Sequence, residues 1–202
     1  MRMKTEESWS YIATIDAWYV LGPLFVVYLI LMMGKIKKQS ERYSVFQYIT
    51  LITLGIYLLS VLALTTFPIE VNWGMYKNQT SWLSRINPIP ILTIDLATFV
   101  LNIIMFIPFG VYQWLVMRKD KISWEPVVVG SLLFSICIEI VQLLMYIIFN
   151  SARSVDVNDL IANTLGGIVG FYTIKWISKN TYFRNLIDVF KVPAKKLITS
   201  TN

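Results

Sequence analysis

The stretch Val127-Val-Val-Gly-Ser-Leu-Leu-Phe-Ser-Ile-Cys-Ile-Glu139-Ile-Val-Gln142-Leu-Leu-Met-Tyr146-Ile-Ile-Phe149 carries one formal charge, Glu139, in about 23 residues. As a helix at ~1.5 Å rise per residue, it is long enough to cross a ~30 Å hydrocarbon core. Outward from it lie four more apolar runs of spanning length: Tyr11–Met33, Val45–Phe67, Leu96–Met117 and Leu160–Ile177. None shows the ~10-residue polar/apolar alternation of a barrel strand. The reading is an all-α integral membrane protein, a five-helix transmembrane bundle. A charged fraction of 15% beside 56% hydrophobic residues and a mean hydropathy of +0.60 leaves too little polar surface for a soluble domain.

The net charge of +6 and pI near 9.4 would suggest nucleic-acid binding in a soluble chain. Here the basic residues sort by loop, and no nucleic-acid partner is expected. Lys35, Lys37, Lys38 and Arg42 follow the first run; Arg118, Lys119 and Lys121 follow the third. Lys175, Lys179, Arg184, Lys191, Lys195 and Lys196 end or follow the fifth, which puts 13 of 18 basic residues on one side. Arg2, Lys4, Lys77, Arg85 and Arg153 fall on the other. The positive-inside rule then predicts an outside N-terminus and a cytoplasmic C-terminus.

One membrane domain spanning 1–202 is expected, with no long linker. The first run is read as a retained helix, since Glu6 and Glu7 accompany Arg2 and Lys4 and no small-residue cleavage site follows. Between runs two and three, Trp73, Tyr76 and Trp82 suit a membrane interface. Asn87-Pro-Ile-Pro90 there must be non-helical. The triplet Asn78-Gln79-Thr80 fits a glycosylation acceptor but is common by chance. Phe183, Leu186, Ile187 and Phe190 recur at helical spacing among polar residues, predicting an amphipathic C-terminal helix on the anionic leaflet, ended by Pro193. Gly166, Gly167 and Gly170 form a small-residue face for close helix packing, and Pro108 is expected to kink the third helix. Cys137 reads as a small buried apolar residue. The chain has no histidine, which removes histidine-based catalysis and histidine metal ligation; no metal and no cofactor are expected.

Polar groups inside spans cost ~2.5–3.5 kcal/mol each at a helix centre when ionised, and so ask for a role. Glu139, Gln142 and Tyr146 share a face at i, i+3, i+7, as do Asp156, Asp159 and Asn163; Asn102 lies in the third run. Helix rise places Asn102 and Gln142 ~10 Å, and Glu139 ~15 Å, below the outer boundary, with Arg153 and Asp156 at the mouth. The expectation is one outward polar funnel. Glu139 and Asp159 are the candidate catalytic pair; Asn102, Gln142, Arg153, Asp156 and Asn163 are candidate ligand-binding residues. The alternative for the amides is interhelical hydrogen bonding, worth ~0.6 kcal/mol apiece.

Three blocks, Asn102-Ile-Ile-Met-Phe-Ile-Pro-Phe-Gly110, Ser135-Ile-Cys-Ile-Glu139-Ile-Val-Gln142 and Arg153-Ser-Val-Asp156-Val-Asn-Asp159-Leu-Ile-Ala-Asn163-Thr-Leu-Gly-Gly167, resemble the VanZ-like family in order and spacing. The resemblance covers about 83–177, with the additional helix 11–33 ahead of it. It implies a multi-pass protein of the bacterial plasma membrane linked to glycopeptide resistance, teicoplanin more than vancomycin, through a change in the cell envelope. Membrane lipids and a cell-wall precursor or lipid-linked ligand are the partners considered. Whether the chain is an enzyme stays open. Glu139 as general acid or base with Asp159, a divalent cation on Asp156 and Asp159, a proton-coupled carrier and a siteless scaffold are the other readings.

Overall fold

The computed structural model describes residues 9–39, 43–75, 80–117 and 123–192, with backbone alone for 35–39. Residues 78 and 79 of the glycosylation triplet and Pro193 lie outside the described residues, as do Tyr76 and the basic residues 2, 4, 42, 77, 118, 119, 121, 195 and 196. The described chain is a helical bundle with two small two-stranded sheets at one end. Its five long helices are α1 (Ala17–Gln39), α2 (Val45–Thr66), α3 (Leu96–Val116), α4 (Glu125–Phe149) and α5 (Val157–Ile177), each apolar and long enough to span a bilayer.

The first span begins six residues later than hydropathy suggests. Ser10–Ile15 is a strand, β1, paired antiparallel with β2 (Ile69–Gly74). Asp16 interrupts the apolar run, and the β-branched and aromatic residues before it fit a pleated surface better than a helix. Tyr11, Ala13 and Ile15 stand opposite Trp73, Val71 and Ile69. That face covers the end of α4: Trp73 stacks on Phe149 at 6.3 Å, and its indole N–H donates to the Ile148 carbonyl at 3.0 Å. The interfacial tryptophan of the sequence is therefore part of a lid over α4.

The inner seam is α3 against α5. A Cβ on Gly166 would strike the Ile103 carbonyl oxygen, one on Gly170 the Ile107 oxygen, and one on Gly110 the Gly167 oxygen. Backbone meets backbone here, as small-residue faces permit in membranes. Around the seam pack Val61, Phe106 and Ile138 on one side, and Trp114, Val127, Phe171 and Ile174 on the other. α3 runs as one helix through Pro108. By contrast, α1 is almost bare: its apolar side chains Val20, Leu24, Val27 and Leu31 are exposed, and it meets the rest mainly through α2, where Tyr28 rests on Gly55 and donates to the Leu51 carbonyl. Exposed apolar surface on a spanning helix faces lipid. Cys137 is likewise exposed rather than buried, on the lipid side of α4 opposite Glu139 and Ser135.

At the other end of the bundle, α6 (Thr181–Phe190) is tied down by the Thr50 hydroxyl donating to the Phe190 carbonyl at 2.9 Å and by the Val192 N–H donating to Leu115 at 2.9 Å. Ile187 and Phe190 turn to the bundle, while Phe183 and Leu186 stay exposed. The amphipathic face thus divides between protein and membrane surface.

Candidate functional site

At the sheet-bearing end, the chain between α4 and α5 is short and polar, and its side chains build a frame. β4 (Val155–Asp156) pairs parallel with β3 (Ile86–Asn87). Asp156 caps α5: one carboxylate oxygen accepts from the Asn158 N–H at 2.8 Å and the other from Asn87 Nδ2 at 3.0 Å. Asn158 in turn accepts the Ile91 N–H at 2.7 Å and donates to Thr93 at 3.2 Å. Ile91 sits at φ 67°, a left-handed conformation that a β-branched residue adopts only under constraint. The Asn158 clamp supplies that constraint. The non-helical Asn87–Pro90 segment is therefore a tight turn locked to the start of α5.

Capping by Asp156 presents its backbone N–H to the bundle, where Glu139 Oε2 accepts it at 3.0 Å. Asn102 Nδ2 donates to Asp159 Oδ1 at 2.7 Å, Asn163 Nδ2 to Ser135 Oγ at 2.8 Å, and Gln142 Nε2 to the Thr65 carbonyl at 2.9 Å. Arg153 donates to the Phe67 carbonyl at 2.9 Å. Each bond joins a different pair of segments, so the polar groups bridge α2, α3, α4 and α5.

Between them lies a cavity of about 740 Å³, within the size range of small-molecule sites. Asn102, Glu139, Gln142, Arg153, Asp159 and Asn163 all line it, with Tyr57, Val61, Leu101, Met105 and Ile138 as apolar wall. Asp156 does not; its side chain is spent on the frame, and it reaches Glu139 through its backbone. Tyr146 is also elsewhere, its hydroxyl bonded to the Thr80 carbonyl and its ring under Arg85 at 5.5 Å. Among the described residues no three His, Cys, Asp or Glu side chains converge as a metal site would require.

Two lining amides are incompletely used. Gln142 Oε1 and Asn163 Oδ1 are buried, and neither has a hydrogen-bond partner. Leaving such an acceptor unpaired costs ~1–3 kcal/mol. Outside the spans, Asp95 caps α3 and is held below the ordinary aspartate pKa by the Thr98 hydroxyl at 2.6 Å, then by the Ala97 N–H. Thr98 is itself on the cavity wall.

Sequence reasoning passes over Ser135, Asn87, Thr93 and Asn158. Ser135 has a signal, standing at i−4 from Glu139 on the same face. The other three act through contacts across 65 to 69 residues, which no local spacing encodes.

The fold and this arrangement define a polytopic helical membrane protein with a polar cavity between its spans at one end. The VanZ/LLP1 family model matches residues 54–178, more than half of the chain, and the protein belongs to that family. The match takes in the second half of α2, all of α3 to α5 and every residue lining the cavity. No curated protein and no solved structure matches the chain.

Proposed function

We propose that this protein acts in the bacterial plasma membrane as a binder of a cell-envelope component, and that its action lowers susceptibility to teicoplanin-type glycopeptides. The observation that carries the binding reading is the cavity itself: six polar side chains from three helices and one loop converge on it, two of them with unpaired acceptors. Family membership supplies the link to glycopeptides. The distribution of basic residues supports placing the cavity toward the outer leaflet. Teicoplanin carries a lipid tail, and each CH₂ withdrawn from the membrane forfeits ~0.8 kcal/mol, so a changed outer leaflet weakens its anchoring. Vancomycin has no such tail.

The test is susceptibility to both drugs in a sensitive Gram-positive host expressing wild type, Glu139→Gln or Asp159→Asn at matched membrane abundance. The expected outcome is a teicoplanin shift with wild type, lost in both variants, and little change for vancomycin. Equal shifts for both drugs would remove the anchoring argument. An enzyme acting on a lipid-linked precursor is the second reading, favoured by two carboxylates lining the one cavity. Mass spectrometry of envelope lipids with and without the gene would reveal its product.

A further inference from the structure

The cavity is not closed on the side between α2 and α3. These two helices meet at few points, chiefly where the Tyr57 hydroxyl donates to the Met105 carbonyl at 2.8 Å and its ring lies 5.5 Å from that of Tyr112. The cavity's lips on this side are Leu64 from α2 with Leu101 and Ile104 from α3, exposed by 71%, 64% and 55%. They sit within spans, so what faces them is hydrocarbon.

A second hollow of about 400 Å³ lies farther along the α2–α3 seam toward the α6 end, past the Tyr57 contact. Thr53, Ile107, Val111 and Leu115 line it, Phe190 of α6 lies at its end, and Pro108 belongs to both hollows. From Asn102 to Leu115 the cleft follows α3 for about 13 residues, ~20 Å, or two-thirds of a hydrocarbon core. One end is polar: the carboxylates of Glu139 and Asp159 line it beside the amides of Gln142 and Asn163, and the Arg153 guanidinium there donates to the Phe67 carbonyl. The other end is mostly apolar; its polar groups are two threonine hydroxyls, both of which donate to backbone carbonyls, and the Tyr112 phenol.

We propose that the α2–α3 cleft is a lipid site filled from the side: a head group rich in hydrogen-bond donors, ammonium or sugar hydroxyls, rests on the two carboxylates, and an acyl chain lies along the cleft to α6. This rests on reading the polar cavity as the ligand site. A water-borne ligand would have no use for the apolar lips or the second hollow. A lipid held only by its chain would have no use for the carboxylates.

The experiment places the full-length protein in phosphatidylglycerol vesicles doped with one of three probes. All carry the same diazirine-bearing chain, and their heads are ethanolamine phosphate, diglucosyl or glycerol phosphate. After photolysis, labelled peptides are mapped. The expected result is labelling across 49–53 and 107–115 by the ethanolamine or the diglucosyl probe, about tenfold above the glycerol probe, and whichever of the two leads identifies the head group. Pairing Glu139→Gln with Asp159→Asn should lower that labelling about tenfold. Ile104→Trp at the lip and Thr53→Trp in the second hollow, both at exposed positions that tolerate bulk, should block it. Val26→Trp on the lipid face of α1 should leave it unchanged.

Equal labelling by all three probes, insensitive to the lip and head variants, is ordinary boundary lipid and overturns the cleft. If that happens while Glu139→Gln still abolishes the teicoplanin shift, the polar site stands and the cleft alone is lost. If head-selective labelling is found but no variant alters susceptibility, the cleft stands and the resistance reading falls.

Discussion

Gln142 and Asn163 each use their amide nitrogen to join helices and leave the oxygen buried and unpaired. As interhelical glue each contributes ~0.6 kcal/mol, and the orphaned acceptor offsets that. Gln142→Leu and Asn163→Leu should therefore shift the melting temperature of the purified protein by no more than a few degrees while reducing function strongly. A thermal scan beside the susceptibility assay checks both halves. Asp95 works differently, as a cap outside the membrane. Its depressed pKa means that its contribution is full above the unfolded-state value and is lost as pH falls through the folded one. Hydrogen exchange at Ala97, corrected for intrinsic rate, should lose protection over that acidic window in wild type, and Asp95→Ala should abolish the pH dependence. The lining residues are legible in the sequence because a carboxylate or amide stands out against Ile, Leu and Phe. The frame residues Asn87, Thr93 and Asn158 are not, because asparagines and threonines in a loop or at a helix start have no background to stand out from. Helical spacing puts Asp156 among the ligand-binding candidates, whereas it is the residue before the helix and its side chain is used locally.

The helices differ in what holds them, and that difference is testable by substitution at glycines. Gly170 abuts the Ile107 carbonyl, and backbone on a helix cannot move aside without shifting the helix. Gly170→Leu should separate α3 from α5, destabilise by about 1–3 kcal/mol or more, and collapse the cavity those helices bound. Gly22 on α1 has nothing within 4 Å of where an added Cβ would lie, so Gly22→Leu should be silent or slightly stabilising. Melting both variants in detergent separates the two outcomes. Four span positions can be read from hydropathy to within three residues, because length and apolarity are what the bilayer selects. The start of α1 cannot. Residues 10–15 are as apolar as a helix, and their strand character depends on a partner some 60 residues away. Cys137 misleads for a related reason: in a membrane, outward-facing positions are as apolar as inward ones, so a small apolar residue mid-span carries no sign of its side.

Across the whole molecule, polarity is divided between two ends. The sheets, the Asp156 frame and the cavity stand at one; α6, Lys175 and Lys191 stand at the other, with Lys191 over the Trp114 ring at 4.6 Å. The 13-to-5 division of basic residues argues for a cytoplasmic α6 end and a cavity that opens toward the envelope. The native cysteine does not obscure a labelling test, since Cys137 points into lipid mid-span, where a charged maleimide does not reach it. A cysteine at Ala152, exposed beside the cavity mouth, should react with an impermeant maleimide in intact cells. One at Ser178, just past α5, should react only after the membrane is permeabilised. The reverse pattern would turn the cavity to the cytoplasm, and a teicoplanin effect exerted at the outer leaflet would lose its physical route even if the cavity binds lipid.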